Sequence, residues 1–321
     1  MSTTSDTLDP EIRRFVSEVS AGFARYPLLD RMPKIEARQV AEEVRAPWRR
    51  GGPGMDQTFE RHLPVEGGTI RVRVHDPLPG AAKPALVYMH GGGWTIFSID
   101  THDRVMREYA ARASVVVIGV DYPLSPESKF PTALHQVVDV VRWLAAHGDD
   151  VGVDAERLAI GGDSAGANLA LAAALVLRDA GESRRLKALL LNYGAFDTEL
   201  SREAERRFGG ADFMLTGDEM RGFWSNYLRG PEDASNPLAC PLRARLENLP
   251  PAFLTVPQCD LLSEQSRSLQ RRLQSAGVPV RAQYYAGATH SFLEAVSISA
   301  LADRAFSEGS HWLREILGPP L

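Results

Sequence analysis

From Pro84 onward the chain repeats one pattern, a short and largely apolar run followed by a stretch with helical spacing. The runs are Pro84–Met89, Ser114–Val120, Leu158–Ile160, Leu186–Tyr193, Pro251–Val256 and Val280–Tyr285. Helical spacing resumes near Asp103 and covers Pro131–Ala146 and Ala165–Asp179. Apolar strands that alternate with helices are covered on both faces, and their crossovers make the sheet mostly parallel. A hairpin precedes them: Thr58–Val65, a Gly67-Gly68 turn, then alternating Ile70, Val72 and Val74, which puts antiparallel strands at the start of the sheet. The expected fold class is therefore α/β, a mostly parallel sheet flanked by helices on both faces.

Two segments stand outside that pattern. Residues 10–25 and 34–46 have helical spacing (Ile12, Phe15, Val16, Val19, Phe23) and end at a breaker stretch, Arg49–Gly54. Residues 197–236 are charged, carry Phe208, Phe213, Met214, Phe223, Trp224 and Tyr227, and have no strand signal. The expected division is a helical N-terminal segment 1–52, a main domain 53–196 plus 237–321, and a helical cap insertion 197–236. A chain of 321 residues is long enough for one such domain with a small cap.

The pentapeptide Gly162-Asp163-Ser164-Ala165-Gly166 sits between the Leu158–Ile160 run and the apolar-rich helix that starts at Ala165. A G-x-S-x-G turn between a strand and a helix is a nucleophile elbow. Its glycines allow a turn sharp enough to hold Ser164 out above the sheet edge. Upstream, strand Pro84–Met89 leads into His90-Gly91-Gly92-Gly93-Trp94. Consecutive glycines leave backbone N–H groups unobstructed, so the loop Gly91–Gly93, with the N–H of Ala165, is a candidate to hold an oxyanion. No Gly-Lys-Ser/Thr follows either glycine cluster, which argues against a phosphate loop, and no G-x-G-x-x-G opens a helix.

A serine hydroxyl needs a base. Of eight histidines only His290 lies late in the chain, in the turn Gly287–Phe292 after Val280–Tyr285. Elbow hydrolases place nucleophile, acid and histidine in that chain order, and His290 fits it. His90 is read as ordering the glycine loop, and His135 and His147 as surface or packing residues. The acid is expected after strand Pro251–Val256, at Asp260. Asp197, after the preceding strand, and Glu264 are the competing positions, while Asp163 is read as a structural partner of the elbow.

These motifs together resemble the hormone-sensitive-lipase-like branch of the α/β hydrolases, and within it the bacterial acetyl esterases. The residues that carry the likeness are His90–Trp94, Asp121-Tyr122-Pro123-Leu124-Ser125-Pro126-Glu127, Gly161–Gly166, Asp260-Leu261-Leu262-Ser263-Glu264 and His290-Ser291-Phe292. The likeness runs from about Pro84 to the C-terminus. It implies the α/β-hydrolase fold, Ser164, Asp260 and His290 as the triad, and Gly92, Gly93 and Ala165 as the oxyanion hole. The chain departs from that family at Pro123, where Arg is usual, at Leu261, where Pro is usual, and at Ser291, where Gly is frequent.

Trp94, Phe97, Phe213, Trp224 and Phe292 are candidate walls of a small apolar pocket, each also readable as ordinary core. With no long apolar lid in the sequence, the expected activity is hydrolysis of short acyl esters, acetyl to butyryl, on a small-molecule substrate. An amidase or arylformamidase would use the same triad, and a binding protein without turnover is the remaining reading. Net charge of −5 with no basic run argues against nucleic acid. No histidine or cysteine spacing suggests a metal, so neither metal nor cofactor is expected. Two cysteines, Cys240 and Cys259, the lack of a leader over Met1–Asp6 and the lack of a membrane-length apolar stretch point to a cytoplasmic protein that does not bind membranes. Monomer and dimer both stay open.

Overall fold

The computed structural model describes residues 8–319, so the leader reading over Met1–Asp6 lies outside the described residues. Its strands are β1 (Gln57–Val65), β2 (Gly68–Asp76), β3 (Lys83–Met89), β4 (Val116–Val120), β5 (Val153–Asp163), β6 (Leu186–Asn192), β7 (Ala252–Pro257) and β8 (Val280–Tyr285). They form one sheet in the order β1-β2-β4-β3-β5-β6-β7-β8. The β1–β2 hairpin closes at Val65 opposite Gly68, and β2 runs antiparallel to β4. Every other pairing is parallel. From β3 the chain crosses to β4 on one side and returns to β5 on the other. The C-terminal ends of β3 and β5 thus flank a crevice where the strand order reverses, the place where open α/β sheets hold their ligands.

The helices are α1 (Pro10–Phe23), α2 (Lys34–Arg45), α3 (Asp103–Ala113), α4 (Thr132–His147), α5 (Ala165–Asp179), α6 (Arg202–Phe208), α7 (Gly217–Tyr227), α8 (Ser263–Ser275) and α9 (Ala300–Leu317). Side chains alternate across β3: Ala85, Val87 and Met89 join one core with α4, α5 and α8. Leu86 and Tyr88 join the other with α3 and α9. Strands β3 and β4 are buried along their whole length, which explains their unbroken apolar character. The alanines of α5 let it lie close on the sheet, and nearly all of it is buried.

Local chemistry sets the helix ends. Asp9 accepts the N–H groups of Glu11 and Ile12 at the start of α1, with Pro10 in the first turn. The buried stripe of α1 is Ile12, Phe15, Val16 and Val19, and the Trp48 ring meets Phe15 edge-on at 4.6 Å. A capping box between Thr216 and Glu219 starts α7. Helices α1, α2, α6 and α7 fall in the two segments outside the alternating pattern. Strand β5 starts five residues before its apolar run, because Val153 pairs back to Lys83 across an irregularity in the ladder. The sequence pattern offers no assignment for α8 and α9. In α8 only Leu269 and Leu273 are buried apolar residues, too few for a clear period. No described helix is long and apolar enough to cross a membrane.

Candidate active site

The site is built at the ends of β3 and β5. Ser164 caps α5 with φ 54° and ψ −116°, a conformation that L-residues rarely hold. Two things maintain it. The Ser164 N–H donates to Asn192 O at 2.9 Å, and the Ser164 carbonyl accepts from Asn168 N at 3.2 Å and Ala195 N at 3.3 Å. The flanking glycines admit close backbone contact: a methyl group on Gly162 would lie 2.3 Å from Met89 O, and one on Gly166 only 2.0 Å from the same oxygen. The end of β3 therefore presses directly on the elbow, and no larger residue fits at either position.

His290 Nε2 lies 2.9 Å from Ser164 Oγ, and His290 Nδ1 lies 2.9 Å from Asp260 Oδ2. An ionised carboxylate only accepts, so Nδ1 carries the proton and Nε2 presents its lone pair to the serine. Asp260 is wholly buried, and its Oδ1 accepts the Leu262 N–H at 2.9 Å. The histidine turn is tied down by Thr289 Oγ1, which lies 2.6 Å from Phe213 O and 2.9 Å from Cys259 O. Tyr193, with φ 38°, meets the His290 ring in a T-shaped contact at 5.1 Å. Asp197, the competing acid, is engaged elsewhere: its oxygens accept from Arg243 Nε at 3.0 Å and Nη2 at 2.9 Å.

The glycine loop holds φ +106° at Gly92 and φ +58° at Gly93, and Gly92 O accepts from Thr95 N and Ile96 N, both at 3.0 Å. Among the described residues no protein acceptor takes the N–H of Gly92, Gly93 or Ala165. His90 braces the loop. Its Nδ1–H donates to Gly91 O at 2.7 Å and its ring stacks on Tyr122 at 4.3 Å. Burial, reinforced by the charge of His102, pushes its pKa down to about 3, so it stays neutral.

Behind the loop His102 and Asp163 form a buried pair. Asp163 Oδ1 accepts from Tyr88 OH at 2.8 Å, and Asp163 Oδ2 lies 3.3 Å from His102 Nε2. Thr101 Oγ1 donates to Ser98 O, so His102 Nδ1–H is the donor in the 2.9 Å contact with Thr101. Burial alone would lower the His102 pKa, but the Asp163 carboxylate outweighs it and raises it. Burial likewise works to raise Asp163, and the charge and hydrogen bond of His102, with Tyr88, hold it below the ordinary carboxyl value.

The predicted aromatic residues divide. Trp94 is fully buried, stacked on Tyr227 at 4.2 Å and leaning on Trp224 at 4.5 Å behind the loop. Phe97 lies against Gly92, where an added methyl would come within 2.8 Å of its ring. Phe292 is buried beneath Tyr193 and Tyr285, and Phe213 packs on Phe208. The ring that meets Gly93 is Phe223, whose Cγ a methyl on Gly93 would approach to 2.1 Å. Its neighbour Trp224, the residue the sequence points to, lies one layer behind, against Trp94. Phe223 flanks the buried stripe Met220, Trp224 and Tyr227 of α7, and that position was the available signal. A surface groove of about 820 Å³ lies at the end of α5, by Arg178, Asp179 and Asn236, and none of Ser164, Asp260 and His290 lines it.

The fold, with Ser164, His290 and Asp260 in hydrogen-bond contact beside the glycine loop, can be set against known proteins. A family described as having the alpha/beta hydrolase fold matches residues 86–294. An acetyl esterase of Salmonella choleraesuis is 35% identical over 275 residues, 85% of this chain and 84% of that protein. Among solved structures, an esterase of Pyrobaculum calidifontis superposes with a TM-score of 0.89 at 32% identity, covering 96% of this chain and 98% of that one. A thermostable esterase of Pseudomonas putida gives a TM-score of 0.89 at 29% identity, covering 97% and 98%. The chain belongs to the α/β-hydrolase family, in its hormone-sensitive-lipase-like branch, and is similar to the acetyl esterases.

Proposed function

We propose that this protein is a serine carboxylesterase that hydrolyses short acyl esters, acetyl to butyryl, through an acyl-enzyme on Ser164. The observation that carries the reading is the chain of contacts Asp260–His290–Ser164, each 2.9 Å long. The similar proteins of Salmonella and Pyrobaculum are an acetyl esterase and an esterase, which supports this reading. His290 Nε2 takes the Ser164 proton as Oγ attacks the ester carbonyl. The N–H groups of Gly92, Gly93 and Ala165 receive the developing oxyanion, and Asp260 stabilises the imidazolium. His290 then protonates the leaving alkoxide. Water, activated by the same nitrogen, releases the acid.

The preference for small acyl groups follows from the cover. Ser164 is 6% exposed and His290 5%. Phe97 and Phe223 lie against the two glycines of the oxyanion loop, backed by Trp94 and Trp224, with Phe213 and Phe292 on the histidine side. Aromatic rings this close to the serine and the glycine loop favour a small acyl group over a long lipid chain.

The test is a series of p-nitrophenyl esters from acetyl to dodecanoyl, with Ser164→Ala as blank. The reading expects a serine-dependent rate that peaks between acetyl and butyryl and collapses beyond octanoyl. A flat profile, or a peak at long chains, contradicts the substrate range, and a faster rate on matched amides moves the reading to an amidase.

A further inference from the structure

Helix α2 turns one face toward the site. Arg38, Glu42 and Arg45, spaced i, i+4 and i+7, share that face. Arg38 Nε donates to Thr95 O at 2.9 Å and its Nη2 to Ser125 O at 2.9 Å. Ser98 Oγ donates to Glu42 Oε1 at 2.6 Å. Arg45 reaches deepest. Its Nη1 donates to Glu294 Oε2 at 3.2 Å, with the two side chains 5% and 4% exposed. Its guanidinium lies over the Phe97 ring at 5.1 Å and near Phe15 at 5.6 Å.

The two partners of Arg45 belong to opposite halves of the site. Phe97 is the ring against Gly92. Glu294 belongs to the short turn that follows His290, and its N–H donates to Ser291 O at 3.1 Å. One guanidinium therefore backs the oxyanion loop on one side and the histidine turn on the other.

The pair is poorly suited to stabilising the fold. Arg45 Nε and Glu294 Oε1 are buried without a hydrogen-bond partner among the described residues, and Arg45 Nη2 has only Met214 Sδ, at 3.5 Å. Two desolvated charges with half-met hydrogen bonds add no more stability than well-packed apolar side chains of the same volume. What such a pair does supply is geometry, since a guanidinium bound at two places fixes the distance between them.

We infer that Arg45 and Glu294 are positioning residues that hold the His290 turn and the Gly92 loop in mutual register, so that the base and the oxyanion donors address one carbonyl. The inference rests on the esterase reading above. It makes α2, remote in sequence from the triad, part of what sets the turnover rate.

The double variant Arg45→Met with Glu294→Leu separates positioning from stability. It strands no buried charge, so its melting temperature is expected at or above that of the wild type. Turnover of p-nitrophenyl acetate is divided by the number of serines titrated with diethyl p-nitrophenyl phosphate, which counts only folded, competent sites. Turnover per titrated serine is expected to fall about tenfold to a hundredfold, the effect of a small misplacement of reacting groups, while KM moves less than about threefold. Glu294→Gln keeps the length and one hydrogen bond, and is expected to recover part of the loss. It also carries the test should the double variant fail to fold. A purely structural pair would lower the titrated fraction or the melting temperature and leave turnover per titrated serine unchanged. That result in both variants, beside a wild type that titrates, overturns the positioning role alone. A wild type whose Ser164 the phosphate does not label overturns the esterase reading and this inference together.

Discussion

Replacing Asp260 by Asn probes the triad through a single atom. The two oxygens of Asp260 do different work: Oδ1 accepts the Leu262 N–H and Oδ2 accepts His290 Nδ1–H, each at 2.9 Å. Asn has one acceptor and one donor end. If its oxygen keeps the Leu262 bond, its NH₂ faces His290 Nδ1, which must then offer a lone pair. The ring proton moves to Nε2, facing Ser164, and the base is lost. The opposite flip sets donor against donor at Leu262 in a site with no exposure, at a cost of about 1–3 kcal/mol. The wrong tautomer therefore dominates, and the right one, where it forms, lacks the carboxylate charge that stabilises the imidazolium. The expected loss in kcat is about 10⁴-fold, as for the same exchange in other triads, or about 5.5 kcal/mol of barrier at about 1.36 kcal/mol per decade. The assay is steady-state hydrolysis of p-nitrophenyl acetate, with Asp197→Asn as control. Asp197 is bonded to Arg243 and is expected to leave kcat within about twofold when changed, as for groups that do not touch the reacting atoms. An Asp260→Asn enzyme that keeps a tenth or more of its kcat refutes the reasoning, as does a larger loss in the control.

Gly93→Ala forces either Phe223 or the loop to move, because the new methyl would lie 2.1 Å from that ring. A fall in kcat of about 10²–10³ is expected, the usual effect of losing one oxyanion donor, with partial recovery when Phe223→Ala is added. Gly166→Ala sets a methyl 2.0 Å from Met89 O and 2.7 Å from His90 O, both backbone atoms. Urea unfolding should show a loss of about 3 kcal/mol or more, the upper range for overpacking. The His102–Asp163 pair contributes its full stability between the two unfolded values, 3.8 and 6.5, and loses it on either side. The raised pKa of His102 adds stability that is complete below its unfolded value of 6.5 and is lost as pH rises through the folded value. The lowered pKa of Asp163 adds stability present above its unfolded value of 3.8 and lost as pH falls through the folded one. Urea midpoints measured across pH should trace both limbs, and His102→Gln should abolish the alkaline one.

What the sequence made legible was local. The elbow could be read because Gly162, Ser164 and Gly166 fall at fixed offsets between a strand and a helix, and each glycine answers to one backbone contact from β3. The alternation of buried strands and helices yielded the sheet for the same reason, since burial on both faces leaves a continuous apolar run. Helix α8, with two buried apolar residues, leaves no such trace. Contacts between distant segments were also hidden. Arg45 and Glu294 are 249 residues apart, and nothing in either neighbourhood announces the other. In α7 the apolar stripe is legible, but the rotation that brings Phe223 against Gly93 is not. Ser291 is an intermediate case: its φ of 59° accounts for the frequent Gly at that place in the family it resembles.

The most direct test of the central claim is to quench a reaction with p-nitrophenyl acetate in acid and locate the acyl group by mass spectrometry. The account predicts one acetyl group on the peptide carrying Ser164, formed in the wild type and absent from Ser164→Ala. Undiminished hydrolysis by Ser164→Ala, or an acetyl group found only on another residue, contradicts it.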